Sequence, residues 1–236
     1  LQAIHDLILV SCGDLCTGFL HDDQRESNWM SPYKEALWMR KRFTWVLRHL
    51  LDHGRFEHIT VPWVYGNHGR TNTGKPRMKT AADNNLEWML GQMLATDFAN
   101  DPRVSFVTAE GSMIYMDVCD MTLRIMHGDD IKYKDGVNGI AVPVAKAVMK
   151  LNKTKKADLT LMGHFHTAQD LGDIIVNGSM IGPTAYGAKN QLSMEPARQM
   201  YVLLDHKRGK CLSAHIWTDY LPKEAERIGG TSVASL

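Results

Sequence analysis

No apolar run in this chain approaches the roughly 20 residues that a membrane-spanning helix needs. Cysteine is scarce: four thiols in 236 residues make no disulfide framework. Cys12 and Cys16 flank a strand end and Cys119 and Cys211 sit among apolar residues, so buried reduced thiols and a cytoplasmic location are expected. An excess of one charge sign is also missing, since 27 Lys and Arg face 26 Asp and Glu. Any anionic partner must therefore be met by a local patch. The six tryptophans are spread along the chain rather than set as a stacking platform. There is no signal peptide, internal repeat or long linker, although the chain starts at Leu1 rather than Met, which leaves a processed or missing N-terminus open. What remains is an ordinary globular composition, 44% hydrophobic and 22% charged. Residues 1–220 read as one domain, and 221–236 as a C-terminal tail.

The chain is organised around 159–166, Leu-Thr-Leu-Met-Gly-His-Phe-His. A short apolar strand runs into Gly163, which permits a sharp turn, and then into two histidines one residue apart. Strand alternation would place His164 and His166 on one side. Residues 6–13 form a continuous apolar run, as in a strand covered on both faces, and end at Gly13-Asp14. After a polar stretch, Ser31-Pro32 predicts a helix start and Gly54 its end, with Leu37, Phe43, Val46, Leu47, Leu50 and Leu51 at helical spacing. Residues 59–65 read as a strand leading to Gly66-Asn67-His68-Gly69. A second helix carries Ala82, Leu86, Met89, Leu90, Met93 and Leu94 on its apolar side. Strands are expected at 104–108, 113–118 and 122–126, the last two as a hairpin ending at His127-Gly128. A helix near 140–151 and strands at 174–176, 201–204 and 211–217 complete a layered α/β domain with a mixed sheet.

Four strand ends thus carry similar cargo: Asp14, Asn67-His68, His127, and His164 with His166. Ligand groups gather at the C-terminal edges of strands in open α/β sheets, so residues distant in sequence can share one cleft. Carboxylate, amide oxygen and imidazole make a mixed oxygen and nitrogen set, suited to Mn, Fe, Zn or Ni rather than calcium. No thiolate is needed, which argues against a structural zinc knot. Singly, each residue also has a plain reading as a turn, cap or strand-end group. Their succession at four glycine-linked strand ends favours a metal. His5, His49, His53, His58, His206 and His215 lack that context and read as surface or packing residues.

Gly13-Asp14, Gly66-Asn67-His68, His127-Gly128 and Gly163-His164-Phe165-His166 resemble, in this order, the motifs of the calcineurin-like metallophosphoesterases. That superfamily includes double-strand-break-repair nucleases, cyclic-nucleotide phosphodiesterases and Ser/Thr phosphatases. The resemblance spans roughly residues 6 to 180. It implies a four-layer fold, a sandwich of two mixed sheets flanked by helices, with two divalent metals, most simply manganese, at the sheet edge. Asp14 would bridge both ions, Asn67, His127 and His164 would complete one site, and His166 would belong to the other. His68 would be catalytic, steadying developing charge or protonating the leaving oxygen. Two departures stand out. The family opens with an Asp-x-His motif on an earlier strand, absent here, so either the chain begins partway into the domain or half of one site is lost. The first is preferred, because the sheet would otherwise lose a central strand, and either way the second site should bind weakly. In addition, Gly69 stands where many members place an acidic residue.

The implied activity is hydrolysis of phosphate esters by a metal-bound hydroxide, with no covalent nucleophile. Arg70, Lys75, Arg77 and Lys79 crowd one loop after His68 and suit a substrate with several phosphates, nucleic acid among them, although a solvated charged loop reads equally well. A phosphodiesterase or DNA nuclease is favoured. The alternatives are a Ser/Thr-type phosphomonoesterase and an inactive metal-binding interaction subunit. Residues 69–75 fit the first seven positions of a nucleotide-binding P-loop, but Pro76 replaces the required hydroxyl residue and removes a backbone donor.

Overall fold

The computed structural model describes residues 4–18, 20, 28–72, 82–132, 139–183 and 195–218. The apolar run 6–13 becomes β1 (Asp6–Ile8) and β2 (Ser11–Cys12), both parallel to β3 (His58–Val64). The register is the same on both sides of the break, Asp6 opposite His58 and Cys12 opposite Val64. Leu9 N–H still donates to the Thr60 carbonyl at 2.9 Å, so the two pieces line one edge of β3 as a single interrupted strand. On the other edge lies β4 (Val104–Thr108), again parallel. Alternation then sorts β3: Ile59, Val61 and Trp63 face one way into a helix-covered core, and Val64 joins a second core behind the sheet.

Two helices cover the first face. Helix α1 (Pro32–His53) begins after Ser31, whose backbone is extended but whose side chain makes no cap bond, with proline in the first turn. Gly54 closes it by donating to the Leu50 carbonyl at 2.8 Å. Helix α2 (Leu86–Asp97) is capped by Asn85, which accepts from Glu87 N–H at 2.8 Å. Leu47 and Leu51 of α1 and Leu90 and Leu94 of α2 meet on β3. Each fully buried leucine contributes roughly 1.5–3 kcal/mol.

The second sheet runs β5-β6-β7-β9-β8, from β5 (Met113–Val118) and β6 (Met121–Met126) through β7 (Leu159–Met162) to β9 (Ile174–Val176) and the two-residue β8 (Gln169–Asp170). Strands β6, β7 and β9 are parallel, and β5 and β8 are antiparallel to their neighbours. Helix α3 (Ala141–Asn152) packs Val144 and Val148 on its outer face. The inner face meets the first sheet through Val64, Ile114 and Ile125. The hairpin of β10 (Arg198–Asp205) and β11 (Gly209–Trp217) lays Met200, Val202 and Leu204 against Leu123, Leu159 and Ile175. The order is helices, sheet, sheet, helix: a mixed α/β domain in four layers, as expected.

Several expectations need correction. Met89 lies 40% exposed at the edge of the α2 stripe rather than inside it. Cys211 is exposed on β11, whereas Cys16 is buried and Cys12 and Cys119 are half-buried residues. The short β8 had no periodic signal. The expected tail, 221–236, lies outside the described residues.

Candidate metal centre

The C-terminal ends of β2, β3, β6 and β7 lead into four short turns that meet between the two sheets. Gly13 and Gly66 are the hinge of this meeting. A Cβ on Gly13 would lie 2.6 Å from the Gly66 Cα, and Gly13 has φ +85°, a conformation glycine adopts at little cost. The residues that follow the strands are strained too: Asp14 (φ 56°), His164 (φ 68°) and His166 (φ 55°) are left-handed without being glycine. Each such residue costs on the order of 1–3 kcal/mol and is found mostly at functional sites. The sharp turn expected of Gly163 is thus made by His164. Gly163 instead makes room, because a side chain there would press on Cys12.

The ligating atoms of Asp14, His127 and His164 lie within 4.8 Å of one another. Their focus is His127 Nε2, which stands 3.2 Å from Asp14 Oδ2, 3.0 Å from Asn67 Oδ1 and 3.1 Å from His164 Nδ1. The opposite ring atom, His127 Nδ1, donates to the Cys12 carbonyl at 2.7 Å, which turns Nε2 into the cluster. A single proton on Nε2 cannot serve three acceptors at once. A divalent cation between two imidazole nitrogens, a carboxylate and an amide oxygen serves all four donors, so the residues present fit a borderline transition metal. The nearby Cys12 thiol is pushed up to about 12 by burial and offers no thiolate.

Electrostatics divide the imidazoles. Burial disfavours charge on His127, but Asp14 and the Cys12 carbonyl outweigh it and push the ring up to about 9. Burial and the neighbouring His127 push His164 down to about 4. Burial also lowers His166. Asp14 is buried as well, yet His127 and His68 hold it well below the usual carboxylate range. The His164 ring is therefore neutral at any ordinary pH, and Asp14 is ionised.

His68 sits beside this group rather than in it. Its backbone N–H donates to Asp14 Oδ1 at 3.0 Å, and its ring Nδ1 lies 2.8 Å from the Thr17 carbonyl. A carbonyl accepts only, so Nδ1 carries the proton in this hydrogen bond. His166 interacts electrostatically with Asp14, His68 and His127, but its ring is not among the three groups that share one focus. Arg70 pairs with Asp129 at 3.2 Å. Lys75, Arg77 and Lys79 lie outside the described residues.

Sequence reasoning missed Glu87. It is fully buried in the first turn of α2, and its carboxylate accepts from the backbone N–H groups of Asp14 (3.0 Å), Cys16 (3.0 Å) and Gly66 (2.7 Å). It therefore ties together the two turns that present Asp14 and Asn67. Burial and the nearby Asp14 raise its pKa. A side chain at Gly69 would fall 2.8 Å from Glu87 Cγ, so the glycine that looked like a departure makes room for this acid. One signal was visible: Glu87 shares the helical face of Leu90, Gly91 and Leu94, a lone charge on an apolar stripe. An open groove of about 620 Å³, lined by Arg48, Asp52, Asp97, Asp101 and Arg103 among others, shares no residue with the cluster, and Asp97 and Asp101 are paired with Arg40 and Arg103.

No family model and no curated protein matches the chain. Among solved structures, Vps29 from Cryptosporidium parvum is similar at 12% identity and a TM-score of 0.38, over 90% of this chain and 98% of its own. Wild-type Vps29 from Entamoeba histolytica, solved in complex with Zn²⁺, gives the same values. A Streptococcus pneumoniae protein described as a predicted phosphoesterase is similar at 11% identity and a TM-score of 0.32, over 90% of this chain and 96% of its own.

Proposed function

We propose that this protein is a metal-dependent phosphoesterase acting on phosphodiesters. The observation that carries the reading is the convergence of Asp14, Asn67 and His164 on His127 Nε2, with His68 fixed alongside. Asp14, Asn67, His127 and His164 would hold one divalent ion, with manganese the expected metal, and Asp14 with His166 would offer a weaker second site. Such an ion supplies Lewis acidity toward a phosphoryl oxygen and a more acidic water. The protein's own part is orientation and proton handling. Asp14 holds the His68 backbone through Oδ1 while Oδ2 faces His127, so the site and the general acid share one anchor. The Thr17 carbonyl keeps the His68 proton on Nδ1, leaving Nε2 to deliver a proton to the leaving oxygen. Arg70 lies beside Asp129 and can steady a second phosphate oxygen.

The test is turnover of bis(p-nitrophenyl) phosphate with Mn²⁺, Zn²⁺ or Co²⁺ added to the EDTA-treated protein. His68→Ala is expected to lower kcat by about 10²–10⁴ while leaving metal affinity within a few-fold. His164→Ala is expected to lose both. Turnover of p-nitrophenyl phosphate alone would instead mark a phosphomonoesterase. Metal binding without any turnover would mark an interaction subunit and defeat the enzymatic reading.

A further inference from the structure

Helix α1 is amphipathic in an unusual sense. Its inner face is buried on β3, yet its outer face is aromatic rather than merely polar: Tyr33 is 62% exposed, Trp38 40% and Trp45 62%. Trp29, just before the helix, is 85% exposed. Large rings rarely cluster in solvent on a single helix unless they are used. Two of the tryptophans that looked scattered in the sequence, Trp38 and Trp45, are therefore gathered on one side of α1, two turns apart.

Along the helix Lys34 and Lys41 stand between the rings and Arg48 just beyond Trp45; all three are exposed, and Arg48 also borders the groove that holds Asp97. The Arg42 guanidinium lies 4.8 Å over the Trp38 ring, and Trp45 stacks on His49 at 5.0 Å. The stripe also has a fixed relation to the candidate site. Glu35, in the first turn of α1, accepts from Gly18 N–H at 3.3 Å, and Gly18 is packed so tightly on the His68 carbonyl that a side chain there would collide with it. The face thus starts beside His68 and runs away from it, about 18 Å from Tyr33 to Trp45 at 1.5 Å per residue.

We infer that the outward face of α1 binds single-stranded nucleic acid, with bases stacking on Tyr33, Trp38 and Trp45 and phosphates meeting Lys34, Lys41 and Arg48. The inference rests on the phosphodiester reading of the neighbouring site and names the polymer that site would receive. Flat rings alternating with cations are the two components of sequence-tolerant single-strand binding. A duplex keeps its bases stacked inside and cannot use the rings. A second copy of this chain is a poorer occupant, because pairing the face with itself sets the three cations against their own kind.

The experiment measures fluorescence anisotropy of a labelled oligothymidylate with the full chain in EDTA, so that binding is read without hydrolysis. The parent is expected to bind the single strand more tightly than the matching duplex, with quenching of tryptophan emission. Trp38→Ala/Trp45→Ala is expected to weaken binding about tenfold or more. Lys41→Glu/Arg48→Glu, which alters only exposed side chains, is expected to weaken it and to lower the slope of log affinity against log salt by about 1.4, at about 0.7 for each phosphate no longer neutralised. Circular dichroism confirms that each variant is folded. Unchanged affinity in both variants overturns the proposal, as does equal binding of polyglutamate. So does a parent dimer, by light scattering, that the variants dissolve. Binding that survives without any turnover of the nitrophenyl ester would sink the enzymatic reading and leave this surface standing; turnover without strand binding does the reverse.

Discussion

The second sheet carries a buried polar cluster toward each end of β6 and β7, and the two differ in kind. Toward the start of β7, opposite Thr160, Arg124 is fully buried. Its guanidinium donates to Tyr115 Oη (3.0 Å), Thr160 Oγ1 (3.2 Å), Asn152 Oδ1 (2.7 Å) and the Lys155 carbonyl (2.6 Å). These acceptors are neutral oxygens, two of them at the end of α3, where the helix dipole favours a cation. Donors match acceptors, and the Arg124 backbone is regular strand. At the other end, past Met126 and Met162, acceptors outnumber donors around His127, and His164 and His166 are left-handed. A saturated buried network specifies a fold. An undersaturated one on strained backbone is the kind of arrangement found mostly at functional sites.

The largest effects should separate the two ends. Arg124→Met strands the Asn152, Lys155 and Thr160 oxygens without a donor and is expected to cost on the order of 3–5 kcal/mol. For a chain of this size that lowers Tm by about 10 °C. Calorimetric titration of Mn²⁺ into the surviving folded protein should give unchanged stoichiometry. Asp14→Asn is expected to do the converse, weakening metal by more than about 100-fold while moving the metal-free Tm by only a few degrees. If Asp14→Asn unfolds the protein, or Arg124→Met abolishes metal binding, the division fails.

Glu87→Gln comes next and should fall between them. The amide would turn part of its donor end toward the N–H groups of Asp14, Cys16 and Gly66, at a cost of about 2–3 kcal/mol. Because those N–H groups hold the turns that carry Asp14 and Asn67, Mn²⁺ affinity should fall about 10–100-fold as well. A stable variant with parental affinity would reduce Glu87 to packing.

The smallest expected effect is on pH. In metal-free protein His127, raised to about 9, contributes stability fully present below the unfolded histidine value near 6.5 and lost as pH rises through 9. His164, lowered to about 4, acts oppositely: the unfolded chain binds more protons between 4 and 6.5, so stability falls as pH drops through that window. Differential scanning of EDTA-treated protein should therefore show these two slopes meeting near pH 6.5. Saturating metal, which excludes the His127 proton, should flatten the alkaline side. A metal-free profile rising from pH 6.5 to 9 would contradict the Asp14–His127 pairing.

Much of this was legible in the chain. The helix between Ser31-Pro32 and Gly54, and the strands at Val104–Thr108 and Ile174–Val176, follow from caps and apolar runs. The grouping of Asp14, Asn67, His127 and His164 was anticipated because glycine-linked polar residues at strand ends leave few other uses. The role of Glu87 was not anticipated, since its partners are backbone N–H groups of turns distant in sequence, which no periodicity records. Nor was the strain at His164 and His166: strand alternation predicts sides only while the strand lasts, and β7 ends at Met162. The tryptophans of α1 looked scattered because linear spacing hides a helical face.

By itself the sequence determined the elements and which polar residues terminate them, because apolar periodicity and capping act over a few neighbouring residues. Only the tertiary structure decided that three acceptors would meet at one imidazole nitrogen, that a buried acid would clamp the turns beneath them, and that α1 would turn aromatic rings outward. Those outcomes depend on how two sheets pack, and packing couples residues that the chain keeps far apart.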